Sequence, residues 1–144
     1  FSAESDTTKE IMAIINSEIT KYLNLFKNSD EGLIKNWPAK YSLYGWLISM
    51  KNGGELQPHM HEKGWISGSI YINVPPKSMS EAGSLVLCIE DSLVHTDDKS
   101  KEVIDVVTGS LVFFPSSLLH YTIPFESDED RIVLAFDVIP NNEV

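Results

Sequence analysis

The sequence predicts a mostly β fold, a sandwich or a jelly-roll barrel, that follows one or two N-terminal helices. From Trp37 onward, short runs rich in Val, Ile, Tyr, Phe and Trp alternate with clusters of Gly, Pro, Asn and Asp, a pattern typical of β-strands and turns. Before Trp37, apolar residues recur every three to four positions, which indicates a helix. Seven or eight short strands can close two sheets over one core, and 144 residues allow one such domain.

The predicted helix covers residues 5–27. Asp6 or Thr7 is a suitable N-cap, and Glu10 is placed to complete a capping box. Its apolar stripe consists of Ile11, Ile14, Ile15, Ile19, Leu23 and Phe26. We therefore expect one amphipathic helix in this segment.

The strands are predicted from the apolar runs between turn residues. They are 42–50, 65–74, 84–90, 102–107, 110–115, 121–125 and 131–139, with turns at 52–54, 75–76, 97–98 and 127–130. No repeat or internal linker interrupts them, so we expect a single domain over residues 1–144, with a helical part at 1–36 and a jelly-roll core at 37–144. Because the chain begins at Phe1, we expect it to be a fragment of a longer protein.

The composition argues against several partners. The formal net charge of −10 disfavours nucleic acid as the main partner, because phosphate contacts need clustered Lys and Arg, and it disfavours an anionic membrane surface. No apolar run approaches the roughly 20 residues of a membrane-spanning helix. The single cysteine, Cys88, lies in an apolar run, where a buried structural thiol is expected. We expect a cytoplasmic protein, and a homodimer remains open.

A pair of histidines gives the first indication of chemistry. His59-Met60-His61 stands just before a predicted strand, and residues i and i+2 of an extended chain point to the same side. Two converging imidazoles favour a transition metal such as Fe, Zn or Mn over Mg or Ca. The alternative is that both side chains face water in a polar loop.

Two further residues strengthen the metal interpretation. His120 follows an apolar strand that ends in a proline, and it is either a hydrogen-bonded rim residue or the third imidazole of a facial metal site. Arg131 begins an apolar strand that runs to Asp137, and a charge at that position needs an anionic partner. This partner is either an acid of the turn 128–130 or the carboxylate of a bound small molecule.

At these residues the chain resembles the iron(II)- and 2-oxoglutarate-dependent oxygenases. The resemblance is to a bacterial and phage branch with His-x-His followed by Ser-Gly-x-x-Tyr, and to relatives of the prolyl hydroxylase type. The matching stretches are the strand with Trp46, His59-Met-His61, Ser67-Gly-Ser-Ile-Tyr71, Ala82-Gly83-Ser-Leu, 109–115, His120-Tyr-Thr-Ile-Pro124 and Arg131-Ile-Val-Leu-Ala-Phe. Their order and spacing over roughly residues 40–140 make the resemblance specific.

The resemblance implies a double-stranded β-helix with the N-terminal helix packed on its major sheet. It implies that His59, His61 and His120 are iron ligands. Arg131 would bind the distal carboxylate of 2-oxoglutarate, and Tyr71 would hydrogen-bond the same carboxylate. The implied reaction is oxidative decarboxylation of 2-oxoglutarate to succinate, coupled to hydroxylation of a small-molecule or peptidyl substrate, with ascorbate as an optional cofactor.

Two positions depart from the resemblance. Most of the superfamily has Asp or Glu two residues after the first histidine, where this chain has His61, so three neutral ligands would leave one less negative charge on the metal. Glu62 is adjacent but would point to the opposite face of an extended chain. Val133 stands where a serine often adds a hydroxyl to the carboxylate site. We expect His61 to remain the ligand, and Arg131 and Tyr71 to suffice for the carboxylate.

The cupins offer the main alternative on the same architecture. The two segments with cupin spacing are Gly53-x5-His59-x-His61 and Gly109-x5-Pro115-x4-His120. A cupin-like metal protein, or a three-histidine thiol dioxygenase that does not use 2-oxoglutarate, is therefore similar here. Cupins place a glutamate where Trp65 and Ile66 stand, and a glycine where Ser117 stands. They also have no general need for Arg131, so the oxygenase is favoured.

Two classes without a metal also stay open. A ligand-binding jelly roll would share the strands without converging histidines, and an interaction domain could dock through its helix. Substrate contacts should come from the loops 28–41, 62–66 and 91–102, in which His95 is expected to be solvated. Candidate walls of the site, with core packing as the alternative, are Trp46, Trp65, Phe113 and Phe125.

Overall fold

The computed structural model describes residues 5–89 and 100–141. The elements there are α1 (Asp6–Leu25), α2 (Gly32–Lys35), β1 (Tyr41–Met50), β2 (Leu56–His59), β3 (Ile66–Asn73), β4 (Leu85–Cys88), β5 (Lys101–Ile104), β6 (Leu111–Pro115), β7 (His120–Thr122) and β8 (Arg131–Pro140). The strands form two four-stranded sheets, β1-β8-β3-β6 and β2-β7-β4-β5, and every pairing is antiparallel. The predicted mostly β fold of the double-stranded β-helix type is confirmed.

The first helix begins one residue earlier than its predicted caps allow. Ser5 is the N-cap, and its Oγ accepts a hydrogen bond of 3.1 Å from the amide of Thr8. The predicted caps, Asp6 and Thr7, lie inside the first turn instead, because the Ser5 hydroxyl satisfies an amide that the helix leaves free. Glu10 is then too far along the helix to complete the capping box.

The apolar stripe of α1 covers the outer face of the sheet β1-β8-β3-β6. Ile15 and Ile19 are buried in one cluster with Ile66, Phe136 and Val138. Burial of each such side chain stabilises the fold by roughly 1.5–3 kcal/mol. This cluster is one of three hydrophobic cores among the described residues, and it packs on the outer face of the sheet β1-β8-β3-β6, which is the major sheet.

The second core lies between the two sheets. Tyr71 and Val133 from the major sheet are buried against Leu85 and Leu87 from the other. Because successive side chains alternate along a strand, every second residue of β8 points into this space, while the residues between them face the helix. The strand is therefore buried on both faces, which explains its nearly continuous apolar run.

Strand β2 was not predicted. The seven predicted strands lie within a few residues of their predicted positions. The four residues of β2 include Gln57 and Pro58, both exposed, so no apolar run marks it. The turn predicted at 97–98 and His95 lie outside the described residues. Cys88 is buried as a free thiol. In the ranges that the structure describes, no helix is long and apolar enough to cross a membrane.

Candidate metal centre

The three predicted histidines come together at one edge of the sheet β2-β7-β4-β5. His59 ends β2 and His120 begins β7, and the two are paired directly across these strands. His61 follows two residues after His59. One ring nitrogen of each histidine lies within 4.8 Å of the others, and the ring centroids of His59 and His120 are 4.3 Å apart. The hairpin geometry and the i, i+2 spacing therefore bring all three imidazoles to one point.

Backbone carbonyls fix the protonation pattern of two of these rings. The Nδ1 atom of His59 lies 2.7 Å from the carbonyl oxygen of Gln57, and that of His120 lies 2.9 Å from the carbonyl oxygen of Leu118. A carbonyl can only accept, so each Nδ1 carries a hydrogen, and in the neutral ring the lone pair is then on Nε2. Histidines that bind metals are held in this way by their second nitrogen, so the donor set fits a divalent transition metal.

The third histidine is held by a carboxylate. The Nδ1 atom of His61 lies 2.7 and 2.9 Å from the two carboxylate oxygens of Asp137, which is 8% exposed. Ser67 donates to the same carboxylate at 2.7 Å. Asp137 is absent from the predicted site, although one signal in the sequence could have found it. It lies an even number of residues after Arg131 on one strand, so both side chains share a face.

Burial keeps His120 neutral. The pKa of His120 is lowered from 6.5 to about 4, chiefly by desolvation and also by the positive charges that His59 and His61 would carry, while its bond to Leu118 and the charge of Asp137 oppose the shift. A neutral imidazole is the form that binds a metal. The ring is also covered by Phe114, whose centroid lies 4.6 Å away.

A cavity of about 100 Å³ connects the histidines to Arg131. Its walls include Trp46, Ile48, Met50, Leu56, Ser69, Tyr71, Leu85, Phe114, Thr122, Val133 and Ala135. Of the four predicted wall residues, Trp46 alone lines this cavity. Trp65 and Phe113 pack beneath the helix and Phe125 packs against Met50, so for these three the alternative of core packing holds.

Arg131 is buried in this cavity without a carboxylate partner among the described residues. The side chain is 2% exposed, and one guanidinium nitrogen, Nη2, donates to the carbonyl oxygen of Gly83 at 3.2 Å. Its Nε atom has no hydrogen-bond partner in the described part of the chain. The acids of the preceding turn form no ion pair with it. Asp130 instead places its Oδ1 atom 3.5 Å from Nζ of Lys51. A buried guanidinium with an unused donor is suited to an anionic ligand.

Tyr71 lies beside this guanidinium. It is 2% exposed, and the guanidinium carbon of Arg131 is 5.2 Å from the centre of its ring. Burial raises the pKa of Tyr71, and the charge of Arg131 and hydrogen bonds to Ser69 and Arg131 oppose this only in part. The phenol therefore keeps its hydrogen at neutral pH and can donate it.

The two positions that depart from the resemblance have different surroundings. Glu62 is exposed and does not belong to the histidine cluster. Val133 is buried on the cavity wall, two residues from Arg131 on the same face of β8. The position at which relatives often carry a serine hydroxyl is thus apolar in this chain.

Comparison with known proteins agrees with this geometry. The family model described as "Putative 2OG-Fe(II) oxygenase" matches residues 44–137, a span that contains the histidine cluster and Arg131. No curated protein matches the chain. The family match therefore covers the whole candidate site.

Solved structures with the same architecture include two prolyl hydroxylases and a protein named HygX. The viral collagen prolyl hydroxylase of Paramecium Bursaria Chlorella virus-1, solved with 2-oxoglutarate, is 15% identical with a TM-score of 0.66, over 99% of this chain and 78% of that one. A prolyl-4-hydroxylase from Pseudomonas putida is 17% identical with a TM-score of 0.55, over 76% and 56%. HygX from Streptomyces hygroscopicus, with nickel and 2-oxoglutarate bound, is 12% identical with a TM-score of 0.52, over 69% and 56%.

These matches establish the fold of the described residues. The chain spans 56% of the length of each of the two bacterial proteins.

Proposed function

Because the chain belongs to the 2OG-Fe(II) oxygenase family, we propose that it is a dioxygenase that holds Fe(II) and 2-oxoglutarate in the cavity described above. The ligands of the metal are His59, His61 and His120, and the 2-oxoglutarate carboxylate binds Arg131 and Tyr71. One observation carries this proposal. Three imidazoles with available lone pairs share a cavity with a buried guanidinium that has no carboxylate partner in the described residues.

The histidines hold the metal from one side. Iron and 2-oxoglutarate, when bound, supply the oxidising chemistry, in which 2-oxoglutarate is decarboxylated to succinate and a substrate C–H bond is hydroxylated. The three ring nitrogens, which converge at one edge of a sheet, would hold the ion. The pKa of about 4 keeps His120 ready to bind at neutral pH.

Arg131 and Tyr71 recognise the carboxylate. The guanidinium offers a planar fork of donors, of which Nε is unused within the described residues. Because the site is buried, its attraction for an anion is stronger than at the surface. The Tyr71 hydroxyl adds a neutral donor beside it. Together they bind the carboxylate without the hydroxyl that a serine at position 133 would add.

The apolar walls exclude water from the reaction. Trp46, Leu85, Phe114 and Val133 line the space between the histidines and Arg131, and none of these side chains can accept or donate a proton at neutral pH. A cavity of this kind strengthens every electrostatic interaction inside it. We further propose that the substrate is a small molecule or a peptidyl side chain.

The experiment is a metal titration followed by a co-substrate assay. The protein is titrated anaerobically with Fe(II), and succinate is then measured with 2-oxoglutarate and oxygen. Arg131→Met should leave iron affinity unchanged and raise the 2-oxoglutarate requirement more than tenfold. The control is Lys51→Met, which removes one exposed positive charge and should leave both quantities unchanged.

Each outcome selects one class of protein. Iron binding with succinate formation supports the oxygenase. Iron binding without turnover of 2-oxoglutarate would favour the three-histidine alternative, a cupin-like or thiol dioxygenase. No iron binding would favour a non-enzymatic jelly roll. Ascorbate is tested in the same assay, and no feature of the described residues argues for it.

A further inference from the structure

We propose that Asp137 is the positioning residue of this metal centre. It holds His61 with Nε2 toward the metal and supplies, from behind the ring, the negative charge that a carboxylate ligand would otherwise provide. The inference rests on the proposed function, because it assigns a role within the same site. It concerns a residue that lies outside the predicted metal ligands and outside the 2-oxoglutarate site.

The geometry places the carboxylate behind the ring. Both oxygens of Asp137 lie within 2.9 Å of Nδ1 of His61. Nδ1 and Nε2 are on different edges of an imidazole, so a carboxylate that accepts from Nδ1 leaves Nε2 free to bind. The metal-binding cluster within 4.8 Å contains the three histidines and does not include Asp137. The carboxylate therefore acts through His61.

Two buried serines hold the carboxylate in place. Ser67 stands directly opposite Asp137 in the β3–β8 pair and donates to Oδ1 at 2.7 Å. The hydroxyl of Ser116 lies 2.9 Å from that of Ser67, and both serines are at most 1% exposed. A buried carboxylate needs hydrogen-bond donors in place of the water that it loses on burial. The strand register thus fixes the carboxylate before any metal binds.

The loop after His61 closes over the same group. The amide of His61 donates to the carbonyl oxygen of Ser116 at 3.0 Å. A Cβ atom at Gly64 would lie 2.4 Å from Ser116 Oγ and 3.4 Å from Asp137 Cγ. Only a residue without a side chain lets the backbone pass this closely. His59 is positioned by strand pairing. His61 lies beyond the end of β2, so these contacts position it instead.

The charge of Asp137 is not used elsewhere. Among the described residues its ion-pair partner is His61, and no lysine or arginine there competes for it. Three neutral ligands would leave both charges of the metal uncompensated by the coordinating groups. A carboxylate hydrogen-bonded to a ligating imidazole makes that imidazole a stronger donor. The negative charge that His61 lacks as a ligand therefore lies one hydrogen bond away.

Metal affinity tests this role. Co(II), as a stable stand-in for Fe(II), is titrated into the wild type and into two variants. Asp137→Asn keeps an oxygen acceptor without the charge, and Asp137→Ala removes both, so affinity should fall about 10-fold and about 100-fold, in the range for partners of metal ligands. Asp105→Asn is the matched control, since Asp105 is exposed and paired with Lys77, and it should change affinity less than twofold.

A second readout does not depend on metal. Long-range 1H–15N NMR of the metal-free wild type should show His61 with hydrogen on Nδ1. In Asp137→Ala the signals of His61 should shift toward a mixture of tautomers, while those of His59, which bonds to a carbonyl, stay unchanged. If the wild type binds no metal, the proposed function fails, and this measurement still reports whether Asp137 orients His61.

Several results would overturn the inference. Unchanged Co(II) affinity in folded Asp137→Asn and Asp137→Ala would do so, as would hydrogen on Nε2 of His61 in the wild type. A loss in Asp137→Asn as large as in His61→Ala would make Asp137 a ligand in its own right. If Asp137→Ala does not fold, Ser67→Ala replaces it and should weaken Co(II) binding less than Asp137→Asn does; no effect in either would refute the role.

Discussion

His59 and His120 stand opposite each other across the β2–β7 pair, and their ring centroids are 4.3 Å apart. One strand pairing therefore sets the distance between two of the three histidines proposed as metal ligands. The third histidine lies past the end of β2 and takes its position from Asp137. Strand pairing thus positions His59 and His120, whereas a polar network positions His61.

Single histidine variants should show that the three imidazoles act as one site. His59→Ala or His120→Ala removes one of three nitrogen ligands, so we expect Co(II) affinity to fall at least 100-fold. His95→Ala, which changes the one histidine of the sequence that is not a proposed ligand, is the control and should bind Co(II) like the wild type. Calorimetric titration measures all three. Equal losses in all variants would argue against a specific site.

Acidification should destabilise the metal-free protein through His120. Its pKa falls from 6.5 to about 4 on folding, so between these values the unfolded chain binds a proton that the folded chain does not. Linkage then makes the free energy of unfolding decrease as pH falls from about 6.5 to about 4, by on the order of 3 kcal/mol. His120→Leu should lose this part of the pH dependence. Urea denaturation at several pH values in both proteins checks it, and identical slopes would contradict it.

Replacing Arg131 should abolish tight 2-oxoglutarate binding without lowering the stability of the fold. A buried charge without a partner is costly, and an apolar side chain of similar size often leaves stability unchanged or higher. We expect Arg131→Met to unfold at the same or a higher urea concentration than the wild type. With Co(II) present, 2-oxoglutarate at a hundred times the wild-type Kd should stabilise the wild type by about 2.7 kcal/mol and the variant by less than about 1.4 kcal/mol.

The conservative variant serves as the control for this experiment. Arg131→Lys keeps the charge and loses the planar fork, so it should respond to 2-oxoglutarate weakly. A strong response in Arg131→Met would place the carboxylate site elsewhere.

Two glycine variants test whether the polar network matters apart from stability. A Cβ at Gly64 would lie 2.4 Å from Ser116 Oγ, and one at Gly68 would lie 2.4 Å from the Phe136 ring. Each Gly→Ala change adds one methyl group to a filled space and should cost about 1–3 kcal/mol of unfolding free energy. Gly64→Ala should also weaken Co(II) binding, because it displaces Ser116 from the network, whereas Gly68→Ala should not. Equal effects on affinity would argue against the network.

Restoring the usual carboxylate ligand should fail on its own. His61→Asp creates the common two-histidine, one-carboxylate set, but the new carboxylate would lie near Asp137, and two close carboxylates do not both ionise readily. We expect the single variant to bind Co(II) poorly and the double variant His61→Asp/Asp137→Asn to bind it better. A double-mutant cycle measures this coupling. Additive effects on Co(II) affinity would mean that the side chains at positions 61 and 137 do not interact.

The sequence alone predicted much of this protein. Period-two runs and turn residues predict the mostly β fold, and the apolar stripe of α1 predicts the helix, because side-chain periodicity follows from backbone geometry. The i, i+2 spacing of His59 and His61 predicts that they share a side. Local signals failed where they were weak, as at β2, whose Gln57 and Pro58 are exposed, and at the first cap, where Ser5 competed with two neighbouring candidates.

The tertiary structure decided what depends on strand register. Only the β2–β7 pairing shows that His120 meets His59, and only the β3–β8 register sets Ser67 opposite Asp137. It also decided that Arg131 has no acid beside it in the described residues, although the acids of the preceding turn are adjacent in sequence. A strand turns successive side chains to opposite faces, so sequence neighbours are separated while residues far apart in the chain are brought into one site.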